Sequence, residues 1–137
     1  MNAYNGLYLD DAMANLGDMV EYAVCTLGYA PDDFFGWFIS SGIASKFENG
    51  NPKYVAGMSG VELADAVLAA VNMLSERHHQ PHLSSKGREY WAGWILAYYQ
   101  WETNRRFSDM VEYGLTLSVV MSLYILHEAD VSKFVES

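Results

Sequence analysis

Apolar residues recur every three or four positions along nearly all of this 137-residue chain, and no stretch alternates as a strand would. Leu9, Met13, Leu16, Val20, Val24 and Leu27 predict a first amphipathic helix over about 7–27. Gly28 is placed to end it. Pro31, followed by Asp32 and Asp33, starts a second, because proline suits a first helical turn and acids favour the positive end of the helix dipole. That helix runs through Phe34, Phe35, Phe38 and Ile39 to about Phe47 and is weakened near Ser40, Ser41 and Gly42. The segment from Glu48 to Lys53 is rich in breakers and reads as a turn. Ser59 with Glu62 then fits a capping box. The helix behind it, over about 61–74, points Leu63, Val67, Leu68, Val71 and Leu74 inward.

After a polar connection over 75–85 comes a helix over about 86–103 that is apolar nearly all round. Residues 90 to 101 place six aromatic side chains in twelve positions. On a helical wheel Tyr90, Trp91, Trp94, Tyr98 and Trp101 share an arc of about 100°, with Arg105 projecting from its middle. Such a helix belongs at the centre of a bundle. Gly93 and Ala97, four apart, allow another helix backbone to approach closely. Ser108 is placed to cap a short helix ending near Gly114, Leu117 to Leu126 suit another, and Asp130 to Val135 suit a last turn. The pattern predicts one all-α domain over 1–137, a single compact bundle of five to seven helices around the aromatic one.

Composition narrows the function classes. An apolar fraction of 51% against 18% charged is that of a folded chain rather than a disordered one. No window of about 20 residues is free of acids and amides, so no span across a membrane is expected. The start of the chain lacks a secretory signal, and Cys25 is the only cysteine, so a reducing cytoplasm is the expected compartment. The net charge of −9 is uneven: −7 over residues 1–75, +2 over 76–106 and −4 over 107–137. Overall acidity opposes binding to double-stranded nucleic acid or anionic lipid.

Several constellations invite chemistry. His78, His79 and His82 lie close together, but Pro81 interrupts any helix and the spacing matches no helical zinc motif. His127, Glu128 and Asp130 place an imidazole and two carboxylates on one turn, a set able to act in acid–base or metal chemistry. Gly57-Met-Ser-Gly60 resembles an anion-binding helix start, although a capped helix explains each of its residues. Cys25 sits beside the inward stripe of the first helix and is expected to be a small core residue. No motif for a metal or cofactor stands out. The aromatic stripe is expected to be core, with a second role at an interface open to it, because tryptophan, tyrosine and arginine dominate interface energetics.

Four stretches together resemble a family of small, uncharacterised bacterial proteins. They are Phe38 to Gly50, Gly57 to Ala64, Glu89 to Trp101 with its Tyr-Trp-Ala-Gly-Trp block, and Leu126 to Val135. The resemblance covers about residues 32–135. It implies genes beside small partner genes, including ADP-ribosyltransferase-like toxins, and so a toxin–antitoxin-like or accessory role. It assigns no catalytic residues.

The resulting expectation is a non-enzymatic, cytoplasmic protein-binding module of antitoxin or immunity type. Its partner-binding residues are expected to be Asp10, Asp11, Asp18 and Glu21 of the acidic first helix, with Trp91, Trp94, Tyr98 and Arg105. The partner is expected to be basic around its active site, since complementary charge assists encounter. A homodimer through the aromatic helix is also expected to be feasible. The alternatives are a nucleotide-binding or other small-molecule enzyme, with its site between the aromatic helix, Arg105 and the His127–Asp130 turn, and an acidic mimic of nucleic acid.

Overall fold

Two glycines set the architecture. A Cβ on Gly93 would lie 2.4 Å from the carbonyl oxygen of Leu16, and one on Gly17 would lie 2.8 Å from that of Tyr90. The helices carrying them therefore touch backbone to backbone, which no larger side chain permits. They are α1 (Leu9–Glu21) and α6 (Arg88–Thr103), the two longest elements of the computed structural model, which describes residues 2–73 and 86–124. A third glycine brings α5 (Gly60–Ala70) onto another face of α1: a Cβ on Gly60 would meet Asp18 Cβ at 2.3 Å and Asn15 O at 2.7 Å. α1 is thus held between α5 and α6 through contacts that only glycine allows.

The remaining helices close around this centre. α2 (Pro31–Ser40) and α3 (Ile43–Glu48) are separated at Gly42, whose φ of 85° no L-residue adopts readily. α4 (Pro52–Val55) is a single turn capped by Asn51, whose side chain accepts from Lys53 N at 3.1 Å. α7 (Phe107–Glu112) and α8 (Leu117–Ser122) follow α6. The fold is an all-α bundle, as the periodicity predicts, and no strand occurs among the described residues. Eight α-helices are described rather than five to seven, because the second helix divides at Gly42 and the breaker-rich turn holds α4. No helix among the described residues is long and apolar enough to cross a membrane.

Aromatic packing ties the late helices to the early ones. Phe107 is fully buried, with its ring 5.7 Å from Phe35, 5.5 Å from Phe38 and 6.1 Å from Phe47. α8 is fastened to α2 by Asp32, which accepts from Ser118 N at 2.9 Å and from Ser118 Oγ at 2.6 Å.

Two local departures bear on function. α1 runs on into a wider π turn over Tyr22–Thr26, where Leu27 N donates to Tyr22 O at 3.0 Å. The extra residue in that turn shifts the helical register, and Cys25 is exposed rather than in the core as expected. Its thiol is pushed up to about 11 by desolvation, by the Glu89 carboxylate that accepts from it, and by Glu21. A thiol so held is a poor nucleophile near neutral pH. The second departure is at α7, where the expected cap, Ser108, lies inside the helix. The cap is Glu48, 59 residues earlier, whose carboxylate accepts from Phe107 N.

Glu48 is 8% exposed, and burial raises its carboxyl above the ordinary 4.5, against the lowering effects of the Phe107 amide and Arg106. A raised carboxylate contributes stability that is complete below about 4.5 and is lost as pH rises through the folded value. Glu48→Gln keeps an acceptor without the buried charge. Its melting temperature at pH 7 should equal or exceed that of the parent, with the gap closing below pH 4.5. Glu48→Ala, which loses the cap, should cost about 1–2 kcal/mol. Thermal melts at pH 4 and pH 7 check both.

Candidate functional site

α6 ends where its backbone changes hand. Asn104 adopts φ 55° and ψ 30°, the left-handed conformation that asparagine tolerates, and its N–H donates to Gln100 O at 2.8 Å. Thr103 Oγ1 donates to Tyr99 O at 2.7 Å and accepts from Arg105 N at 3.3 Å. Arg105 therefore leaves the helix. It does not project from the middle of the tryptophan arc, as helical spacing predicts, but lies exposed in the link between α6 and α7. Two residues later Phe107 plunges into the core, and α7 carries the chain to Tyr113. Gly114, at φ 94°, turns it back so that Leu115 N donates to Met110 O at 2.9 Å.

These turns enclose a half-open hollow of about 360 Å³, lined by Tyr99, Arg105, Asp109, Met110, Tyr113 and Leu115. Its floor is apolar and its rim carries charge. Arg106 grips Asp109 through Nε at 3.1 Å and Nη2 at 3.3 Å, which neutralises that carboxylate. Arg105 makes no ion pair within 4 Å among the described residues. Tyr113 stands 86% exposed at the rim. A large aromatic ring left in water beside an unneutralised guanidinium marks this hollow from the rest of the surface. A second hollow, between α2 and the α7–α8 link, holds only about 40 Å³.

The predicted binding residues scatter. Asp10 and Asp11 are exposed on the first turn of α1, and Leu7 just before them is 86% exposed. Asp18 is half-buried under Gly60. Glu21 is only 1% exposed and so is not one of the surface acids that its place on the acidic helix predicts. Trp91 is 9% exposed, with its ring 5.9 Å from that of Tyr124. Trp94 and Tyr98 are half-buried against the core, and Tyr98 leans on Trp101 at 6.1 Å. The chain start covers Trp101, whose Nε1 donates to Tyr4 O at 2.8 Å while Ala3 N donates to Trp101 O at 2.9 Å. Of the four residues assigned to the aromatic helix and its end, Arg105 alone is fully at the surface. The Gly93 face is filled by α1 of the same chain.

The glycine-flanked helix start is explained by packing and capping. Gly60 is needed against α1, Ser59 Oγ accepts from Glu62 N at 3.1 Å, and Glu62 Oε1 accepts from Ser59 N at 3.0 Å. The Ser59 amide, and after it the Ser59 hydroxyl, hold the Glu62 carboxyl below the usual carboxylate range, so a negative charge already sits at this helix start. His78, His79, His82 and the His127 to Asp130 turn lie outside the described residues. Among the described residues no group of three or more His, Cys, Asp or Glu is arranged to hold a metal ion.

Tyr99, Asp109, Met110, Tyr113 and Leu115 do not stand out in the sequence pattern. The available signal is Tyr113 itself, an aromatic residue off the Phe107–Met110 stripe and immediately before a helix-ending glycine. The class defined by fold and hollow is an all-α bundle with an aromatic core and, among the described residues, an open, cation-bearing depression. Compared with known proteins, the chain matches no family, no curated protein and no solved structure.

Proposed function

We propose that this chain is a protein-binding module and not an enzyme, with its contact surface centred on the hollow between α6 and α7. The observation that carries the reading is the pairing of exposed Tyr113 with exposed Arg105 around an apolar floor of Met110 and Leu115. Tyrosine and arginine are the residue types in which binding energy concentrates, especially beside a depression that a partner can fill. Asp10, Asp11 and Leu7 form a second exposed group, suited to a basic partner. The antitoxin or immunity role belongs to this proposal and rests on the resemblance of the Tyr-Trp-Ala-Gly-Trp block and its companions.

The enzyme alternative draws on the same hollow, which lies between the aromatic helix and Arg105. It is the weaker reading, because the one carboxylate in the lining is already held by Arg106; the His127 to Asp130 turn on which it also draws lies outside the described residues. The acidic-mimic alternative needs a row of free carboxylates. Of the nine acids in residues 1–73, Glu21 and Glu48 are buried, Asp18 and Asp65 half-buried, Asp32 binds Ser118, and Glu62 caps α5. Asp10, Asp11 and Asp33 remain, too few to form a row of phosphate-like charges along this part of the chain.

The test is capture by the tagged protein from its host's lysate, followed by native mass spectrometry. The expected result is a protein partner in stoichiometric amount. Recovery of the chain alone, carrying a small molecule or metal, would contradict the proposal.

A further inference from the structure

The charge and size of the hollow say what kind of group it takes. Its volume, about 360 Å³, lies at the bottom of the range of small-ligand pockets. That is space for one bulky side chain and its neighbour, not for a dinucleotide. Tyr99, Met110, Tyr113 and Leu115 offer apolar and aromatic surface. Asp109 is taken up by Arg106, which Glu48 and Glu112 also face, so Arg105 is the one cation of the lining without an ion pair among the described residues. A single carboxylate balances it. A polyphosphate would exceed it and meet Asp109. The backbone amide at the start of α7, which could otherwise receive an anion, is already occupied by Glu48.

We infer that the hollow receives an apolar or aromatic side chain of the partner, with an adjacent carboxylate set against Arg105. The partner contact is therefore a short acidic–apolar segment, and this end of the protein recognises negative charge although the molecule as a whole is acidic. The guanidinium can bind both carboxylate oxygens at once, which an ammonium cannot. Tyr113, exposed at the rim, offers its ring for the entering side chain to pack on.

The inference rests on the protein-binding reading, and the two fail separately. The probes are acetyl-Phe-Asp-amide, acetyl-Phe-Asn-amide and acetyl-Phe-Lys-amide, titrated into the intact protein. Binding is followed through the methyl resonance of Met110, which lies in the floor. The Phe-Asp probe should bind about tenfold more tightly than Phe-Asn, the size of one charge-assisted hydrogen-bonded contact. Phe-Lys should bind more weakly than either. Arg105→Ala should erase the preference for Asp over Asn, and Arg105→Lys should restore part of it. Arg105 is exposed, so neither variant should disturb the fold. Equal binding of Phe-Asp and Phe-Asn, no binding of Phe-Asp, or a preference that survives Arg105→Ala would overturn the inference. If discrimination is absent while a captured partner still needs Tyr113, the inference falls and the protein-binding reading stands. If discrimination is present while no partner is captured, the chemistry of the hollow stands and the protein-binding reading falls.

Discussion

Replacing Gly93 with alanine should lower the melting temperature by roughly 10 °C or more, whereas the same change at Gly36 should raise it by a few degrees. Both glycines lie inside helices, α6 and α2, where alanine is intrinsically better by up to about 1 kcal/mol. Space decides the sign. At Gly36 nothing lies within 4 Å of an added Cβ, so the gain of about 0.4–1 kcal/mol is realised. At Gly93 the new methyl would meet the Leu16 carbonyl oxygen at 2.4 Å, Leu16 C at 2.8 Å and Gly17 Cα at 2.9 Å. These are backbone atoms of another helix and cannot swing aside. α1 and α6 would have to separate along their whole contact, at a cost of about 3 kcal/mol or more. Thermal unfolding of the two variants beside the parent checks this. A loss at Gly36 larger than that at Gly93, or no loss at Gly93, would mean the helices do not meet as described.

The second large effect is at Phe107. Phe107→Ala should cost about 3–5 kcal/mol, and Phe107→Leu less than about 1.5 kcal/mol. The ring is fully buried and edge-on or tilted to Phe35, Phe38 and Phe47, so truncation leaves a cavity bordered by three rings that cannot all collapse into it. The loss extends beyond stability. Phe107 anchors α7, which carries Asp109 and Met110 and leads to Tyr113, so the hollow should loosen when the anchor is removed. Urea unfolding gives the first quantity through the midpoint at constant slope. The Met110 methyl resonance gives the second, through line broadening that Phe107→Leu does not cause. A Phe107→Ala variant that loses less than about 1 kcal/mol would contradict the packing.

Much of the fold can be read from the chain because its local signals agree with its packing. The Ser59–Glu62 capping box starts α5 where expected, and Leu63, Val67 and Leu68 are inward. The small-residue face of α6 meets another helix at Gly93. Pro31 opens α2, and Gly28, at φ 82°, ends the preceding segment. The features hidden from the sequence depend on distant partners or on single backbone choices. The sequence keeps α-helical apolar spacing through Tyr22–Thr26 although the backbone there is a π turn, so the pattern cannot show that Cys25 is turned outward. Asn51 and Pro52 read as turn residues, yet the same pair caps and opens α4. Ser108 reads as a cap because its competitor, Glu48, is remote in sequence. Arg105 leaves the aromatic arc because Asn104 takes the left-handed conformation, and helical spacing does not continue past such a residue.

The same distinction applies to the site. The aromatic density of α6 is plain in the sequence, but it builds the centre of the bundle. Spacing assigns Arg105 to a face of α6, whereas it lies in the link beyond. Tyr113 is inconspicuous because a lone tyrosine at the end of a short helix has no pattern. Whether Glu21 or Asp11 is exposed depends on which helix lies above each, and charge type alone does not carry that information.

The most direct measurement compares three tagged baits side by side in capture from host lysate: the parent, Tyr113→Ala with Arg105→Ala, and Asp10→Asn with Asp11→Asn. A partner that depends on the hollow should be retained by the parent and lost, by a factor of about 30 or more in affinity, by the first double variant. The second should weaken capture mainly at low salt, as expected for charges that assist encounter rather than hold the complex. A partner held equally by the parent and by the Tyr113, Arg105 variant would place the binding surface elsewhere and contradict the account.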